Sequence, residues 1–425
     1  MATEPLKFGP FTKGTNNVDK ATALAADELL KAVNLDIDRN GRVSRRRGYT
    51  RVIAEDNTHS LWARDTSTAF YGSGLDLKMI KKDSAGNLTT SVLESGKMQL
   101  LKRIAFLELN GDVYYSNGIV RGMIRANDTA HDWGVEVPAL NPVLAAGAGS
   151  LPAGRYLVGL TFLSDRGEES GMPAPQSITL AAQGGISVTS IPPGIHADVT
   201  TVRLHVSKAD GEELYRYQEY PIGTTTALIS GLAQLGGRSR AMFLEQMPPS
   251  TLLEYYRSMI YGVSGRVVWH TEPLGYGLCN VRKNFLLFAE DVGVFAAVHD
   301  GIYVGTPKRV YFYAGDGPGK FEPKIVLPYG AIPGTQVVLE KNEEGGSKAV
   351  GFFTERGFVK GLAGGAIQIG DKERIMIGQY SKGSAFYRET NGVRQVIGTM
   401  RGQTRTGFAS ADHAEAEVRR TNLNI

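Results

Sequence analysis

A single cysteine, Cys279, stands among 425 residues, which excludes an intramolecular disulfide and any metal site built from several thiolates. No run approaches the roughly 20 apolar residues that span a bilayer. Met1 to Thr15 has neither a basic start nor an apolar core, so the expectation is a soluble product made in the cytoplasm, with no membrane-spanning segment. Charge of one sign is also missing: 47 basic against 43 acidic residues leave a net +4, so any strong field must come from local clustering. Catalytic signatures are absent. There is no G-x-S-x-G elbow and no H-E-x-x-H, and the seven histidines are scattered with no i, i+4 pair. No catalytic, cofactor-binding or metal-ligating residue is assigned, and the chain is not read as an enzyme.

Long helical patterns are scarce, whereas glycine is abundant, 52 residues against 18 prolines, as many short strands with tight turns require. Six units share one rhythm of apolar strand, Gly-containing turn and second apolar strand: residues 61–80, 101–124, 255–273, 292–315, 349–370 and 385–400. Asn110-Gly111, Asp300-Gly301 and Asn391-Gly392 read as hairpin turns, because those residues tolerate the positive φ that tight hairpins demand. Each unit resembles the inner hairpin of a propeller blade, whose faces are buried only by stacking on neighbours.

One gap breaks the rhythm. Pro138 to Asn141 begins a Pro/Ala/Gly linker ending near Pro152, and short alternating strands follow as far as Met247-Pro248-Pro249. Their number and spacing suit a β-sandwich of the immunoglobulin or fibronectin class, inserted between blades. The fold expected is therefore all-β: a six-bladed β-propeller, about 40–45 residues per blade, with an inserted sandwich and a short N-terminal helix. The domains are residues 1–48 (arm, helix, first hairpin), 49–137 (the first propeller segment), 138–249 (the sandwich) and 250–425 (the second propeller segment). The helix is placed at Ala21 to Ala32, where Leu24, Leu29, Leu30 and Val33 leave an apolar face.

Three motifs invite chemistry and decline it. Asp36-x-Asp38-x-Asn40-Gly41 matches half a calcium loop, but the closing acid falls at Arg47, so a β-turn capped by Asp and Asn is preferred. Gly315 to Lys320 fails as a phosphate loop, since residue 314 is Ala and Phe321 replaces the Ser/Thr. Cys279 has no activating neighbour and reads as a buried structural thiol.

The remaining candidate is a cluster of six arginines from Arg39 to Arg51, a density found nowhere else. Arg42, Arg45 and Arg47 are expected on one strand face with Arg46 opposite, a fork-rich surface suited to carboxylates or phosphates. A salt-bridged structural strand joining the arm to the propeller, assembly contacts to another subunit included, is the preferred reading and direct DNA contact the lesser one.

The opening GTNNVDK…LAADELLKAVNLDID…GRVSRRRGYT and the closing TGFASADHAEAEVRR resemble the tail nozzle proteins of short-tailed phages. The family's Arg-Arg-Pro-Gly run is here Arg46-Arg47-Gly48, without proline. What the resemblance implies is a virion structural protein, assembled in the host cytoplasm. Its subunits would form a homo-oligomeric ring, a hexamer, at the distal end of the viral tail tube. It would contact the head-to-tail connector or adaptor and the tail fibres or spikes, hold packaged genomic DNA in its lumen, and conduct it on DNA ejection. A rival class is a glycan-binding or glycan-cleaving propeller for host adsorption, with Trp62, Trp133 and Trp269 as platforms and an acid pair at the central mouth. A cellular scaffold propeller is a third reading, disfavoured by the two ends.

Overall fold

The computed structural model describes residues 9–33, 35–38, 40–45, 48, 50–339, 348–370, 374–377, 380–390, 393–402 and 417–422. They divide into two compact units, residues 56–288 and residues 1–55 with 289–425. The described residues are all β, with one 3₁₀ turn at Ala363–Gly365.

In the first unit, three four-stranded meanders carry the first three rhythm units. They run Thr58–Ala63 to Leu88–Glu94, Ala105–Leu109 to Ala130–His131, and Leu252–Tyr256 to Phe285–Leu287. Strands pair in sequence order, the up-and-down order of a propeller blade. The strand Asp112–Ser116 shows why its sequence is apolar on both sides. Val113 and Tyr115 pack on Phe70, Leu77 and Met79 of the first meander, while Tyr114 packs with Leu253 and Ile260 of the third. A strand sandwiched in this way loses the usual alternation, and each buried aromatic or aliphatic side chain contributes about 1.5–3 kcal/mol.

Two four-stranded meanders, Val294–Ala297 to Glu322–Leu327 and Val337–Leu339 to Ile367–Ile369, repeat the pattern in the second unit, followed by a three-stranded sheet of Tyr380–Thr390, Val393–Gly402 and Glu417–Asn422. In Ala349–Thr354, Val350 and Phe352 face one core, Ala349 and Phe353 the next. All six rhythm units thus fall in separate antiparallel sheets. Their turns differ in mechanism. Asn110 and Gly111 adopt φ of 56° and 85°, as expected of a tight hairpin. Gly301 lies inside the strand Gly301–Gly305 and has no positive φ; a Cβ there would stand 2.5 Å from the Phe312 ring, so it is glycine for close packing. Asn391-Gly392 lies outside the described residues.

The insertion is a seven-stranded sandwich around a single core that includes Tyr156, Leu160, Phe162, Ile186, Val202, Leu204 and Ile229. One sheet orders Val143–Leu151, Gly184–Thr189 and Thr226–Ile229. The other orders Gln176–Leu180, Gly154–Ser164, Val199–Ser207 and Leu214–Pro221. Two packed antiparallel sheets are the expected architecture, with a strand order different from the ABED/CFG of immunoglobulin constant domains. The expected Pro/Ala/Gly linker is corrected. Val143–Leu151 is an edge strand whose Leu144 and Leu151 reach the core; its pairing shifts register after Gly147, and a Cβ at Gly149 would stand 2.7 Å from Gly184 O, so glycine permits the close approach there.

The N-terminal helix is also corrected. Residues 21–32 form turns and the two-residue strand Glu28–Leu29, which pairs in parallel with Gly14–Thr15. An isolated three-turn helix is marginal without a packed face, and Leu30 and Val33 are exposed here, so no such face is buried. The backbone is satisfied instead by the preceding arm: the Gly9 amide donates to Ala26 O, Lys13 to Asp27 O and Asn16 to Leu29 O, at 2.8–3.3 Å.

Candidate functional site

The arginine segment begins as a hairpin of Leu35–Ile37 and Val43–Arg45. Asp38 makes the turn: its Oδ1 accepts from the amides of Asn40 and Arg42 at 2.8 and 2.9 Å. Gly41 has φ 73°, and a Cβ there would stand 2.6 Å from the Phe11 amide nitrogen. The Asp-x-Asn-Gly stretch is therefore a capped turn pressed on the arm, as the failed calcium pattern implied. Arg42 and Arg45 are both exposed. Their common face is a misreading: a separation of three residues puts them on opposite sides of a ribbon that alternates every two. Arg45 stands opposite Leu35, while Arg42 leaves the turn before the strand begins. Arg46 and Arg47 lie outside the described residues.

What fixes this arm was missed in the sequence, although the signal lay in the Gly-Thr-Asn-Asn turn. Asn16 is buried and acts as a four-way tie. Its Oδ1 accepts from the Val18 and Asp19 amides, and its Nδ2 donates to Asp19 and Glu28 carboxylates. Asn17 clamps both backbone groups of Met376 at 2.8 Å, and Arg374 donates to Lys13 O at 2.6 Å. Asn16 thus ties the arm to itself, while Asn17 and Arg374 anchor it to residues 374–376.

Two polar networks occupy the first unit. In the sandwich, Glu169 accepts from Thr161, His205, Arg203 and Arg216 at 2.6–3.2 Å, and Arg203 also bonds Glu219. Burial would raise the Glu169 carboxyl, but the His205 and Thr161 hydrogen bonds and the adjoining Arg203 charge hold it at about 2. His205 is wholly buried and its Nδ1 has no partner. The second network ties the sandwich to the second meander. Arg125 grips Asp165 with two bonds of 2.8 Å and reaches Asp198 at 3.3 Å, while Arg166 holds Asp112 at 2.7 Å. His196 sits between Asp132 and Glu136. Each side contributes both signs, so the seam is reciprocal. These groups hold strands and modules together, and Arg216 also borders a surface cleft lined by Glu213, Arg238, Ser239 and Arg240.

The other sequence candidates behave likewise. Cys279 is buried in the core of the second and third meanders, and burial pushes its thiol up to about 12. Trp133 is buried, donating to Tyr276 O at 2.7 Å; Trp62 stacks with Phe70 and Phe106, and Trp269 packs edge-on against Phe285. Gly315 to Lys320 connects two strands and precedes no helix, so it lacks the helix N-terminus a phosphate loop uses. Among the described residues no group of three or more His, Cys, Asp or Glu side chains is arranged to hold a metal ion. No helix among them is long and apolar enough to cross a membrane.

No protein-family model and no curated protein matches the chain. Among solved structures it is similar to a streptogramin B lyase, with 9% identity, 81% of this chain and 91% of that one covered, and a TM-score of 0.34. It is similar also to the Neurospora crassa Pan2 WD40 domain, with 9% identity, 80% and 85% covered, and a TM-score of 0.33. Likenesses this distant carry no argument about function.

Proposed function

We propose that the chain is a virion structural protein of the tail-nozzle type, a six-bladed propeller with an inserted sandwich that closes into a ring of six copies. In this reading the ring follows the connector, bears on tail fibres or spikes, retains packaged DNA and conducts it during ejection. The observation that supports it most is the state of the N-terminal arm. The hairpin of Leu35–Ile37 and Val43–Arg45 has only two strands, and Val18, Leu30, Val33, Leu35, Val43 and Val52 are 38–74% exposed. A two-stranded ribbon with its apolar residues in water is marginal alone. It gains stability when another surface covers it, which is the behaviour of an assembly arm, and its exposed arginines suit the carboxylates of a neighbouring subunit. The sequence resemblance lies in this same segment.

The channel lining expected of such a ring is mixed in sign, because a uniformly basic wall would bind phosphates and slow passage. The test is made on particles. Mass spectrometry and cryo-EM of purified virions should find the chain in the tail as a closed ring, and its absence from particles would overturn the reading. Changing Arg45, Arg46 and Arg47 to Ala should stop tail assembly. Normal assembly with slowed DNA release would transfer the arginines to the lumen instead.

A further inference from the structure

The two sheets of the sandwich are finished differently at their edges. The four-stranded sheet ends at Leu214–Pro221, and the returning chain covers that edge. Arg216 N donates to Gly237 O, Gly236 N to Arg216 O and Ser239 N to Leu214 O, at 2.8–3.0 Å. Its strands also carry Arg155, Arg203, His205, Arg216 and Glu219. The three-stranded sheet is protected only at one end, where pairing shifts register after Gly147 and Ser150 N donates to Ser230 O at 2.7 Å. Val143–Leu151 and Thr226–Ile229 are its two margins, and among the described residues no strand pairs with the outer side of either. None of its three strands contains a charged residue or a proline, in a chain that is 21% charged. Val143 and Leu228 are 58% and 45% exposed on the side away from the core.

Folded proteins block open edges with charge, proline, bulges or a covering segment. Here one margin of the four-stranded sheet uses a covering segment, and the sister sheet of the same module uses none of these along Val143 to Gly147. We infer that this sheet is continued between copies of the chain, the Thr226–Ile229 margin of one subunit pairing with the Val143–Gly147 margin of the next. A second copy is the occupant because it brings the missing counterpart: this sheet offers two uncharged margins of similar length (Gln176–Leu180, in the other sheet, is a third), and one junction uses one from each. The direction of the strands fits. Both margins run antiparallel to Gly184–Thr189 and hence parallel to each other. Rotation about an axis along the strands therefore joins them as a parallel pair, repeating head to tail as a ring requires. A two-fold axis would instead join identical margins and leave the other margin of each subunit open.

Four or five paired residues make too few hydrogen bonds to hold two copies together by themselves at micromolar concentration. The junction therefore acts together with a second contact on the same subunits. The inference rests on the ring reading above for that second contact.

Trapping reads weak contacts directly. Full-length Ala145→Cys and Leu228→Cys proteins, each retaining the buried Cys279, are mixed at high concentration under mild oxidation and digested for peptide mass spectrometry. The expected product is a 145–228 disulfide between copies, at least tenfold depleted when Ala146→Lys is added to the first partner. Disulfides joining only 145 to 145 would replace the inference with a two-fold dimer. A 187–187 disulfide from Ser187→Cys would show stacking of faces, and no intermolecular disulfide at any position would overturn edge pairing altogether. None of these results depends on finding the chain in virions, so failure here and failure of the tail reading are separable.

Discussion

At the scale of single residues, the chemistry of this chain is turned inward. Glu169 shows it best, because a carboxyl lowered from 4.5 to about 2 stabilises the fold by on the order of 3 kcal/mol. The sign follows from the depression: the contribution is complete above the unfolded value and is lost as pH falls from about 4.5 towards about 2. Urea unfolding followed from pH 7 down to pH 2.5 should therefore show a fall in stability that Glu169→Gln lessens, the remainder coming from other lowered carboxyls such as Asp65 and Asp165. At pH 7 the same variant should cost about 3 kcal/mol, since Arg203 and buried His205 lose their anion. Cys279, its thiol pushed up to about 12, should stay unreactive to a thiol reagent at pH 8 in native protein and react at once in denaturant. The buried, unactivated state of Cys279 was legible from its neighbours in the sequence, whereas the Glu169 network was not. Thr161, Glu169 and His205 meet only across strands, and nothing in their spacing announces it.

Elements were legible where the physics is local. The six strand–turn–strand units carry apolar strands and Gly-containing turns, and each became a separate sheet. Legibility failed where partners lie elsewhere in the chain. Leu24, Leu29 and Leu30 have helical spacing, yet the segment finds its hydrogen bonds in residues 9–16. Val143–Leu151 has a linker's composition, yet its register with Gly184–Thr189 makes it a strand. The arginine faces failed for a simpler reason, an odd separation read as an even one. The arm offers a direct measure of how much two amides hold. Asn17→Ala removes both bonds to Met376, and hydrogen exchange across Gly14–Thr15 and Glu28–Leu29 should quicken by about tenfold or more, at about 1 kcal/mol per bond. Unchanged protection would mean that Arg374 and the Asn16 tie suffice.

At the scale of the whole molecule, the sandwich leaves and rejoins the meanders at one place. Gln246 donates to Gly134 O at 2.7 Å and accepts from Arg121 at 2.7 Å, while the neighbouring Glu245 pairs with Cys279. Entry and exit are thus neighbours, and the charges of Asp112 and Arg125 face the module across the seam. Cutting the module away exposes ions that water solvates readily at those points. A chain in which residues 137–243 are replaced by two glycines should therefore melt in a single transition, within about 10 °C of the parent, a shift that corresponds to a few kcal/mol. Aggregation or loss of the cooperative melt would show that the module belongs to the scaffold. If the shortened chain folds, the insertion behaves as a parenthesis in the polypeptide. Lineages could then exchange one such module for another, altering what the molecule presents to its surroundings while the meanders stay as they are.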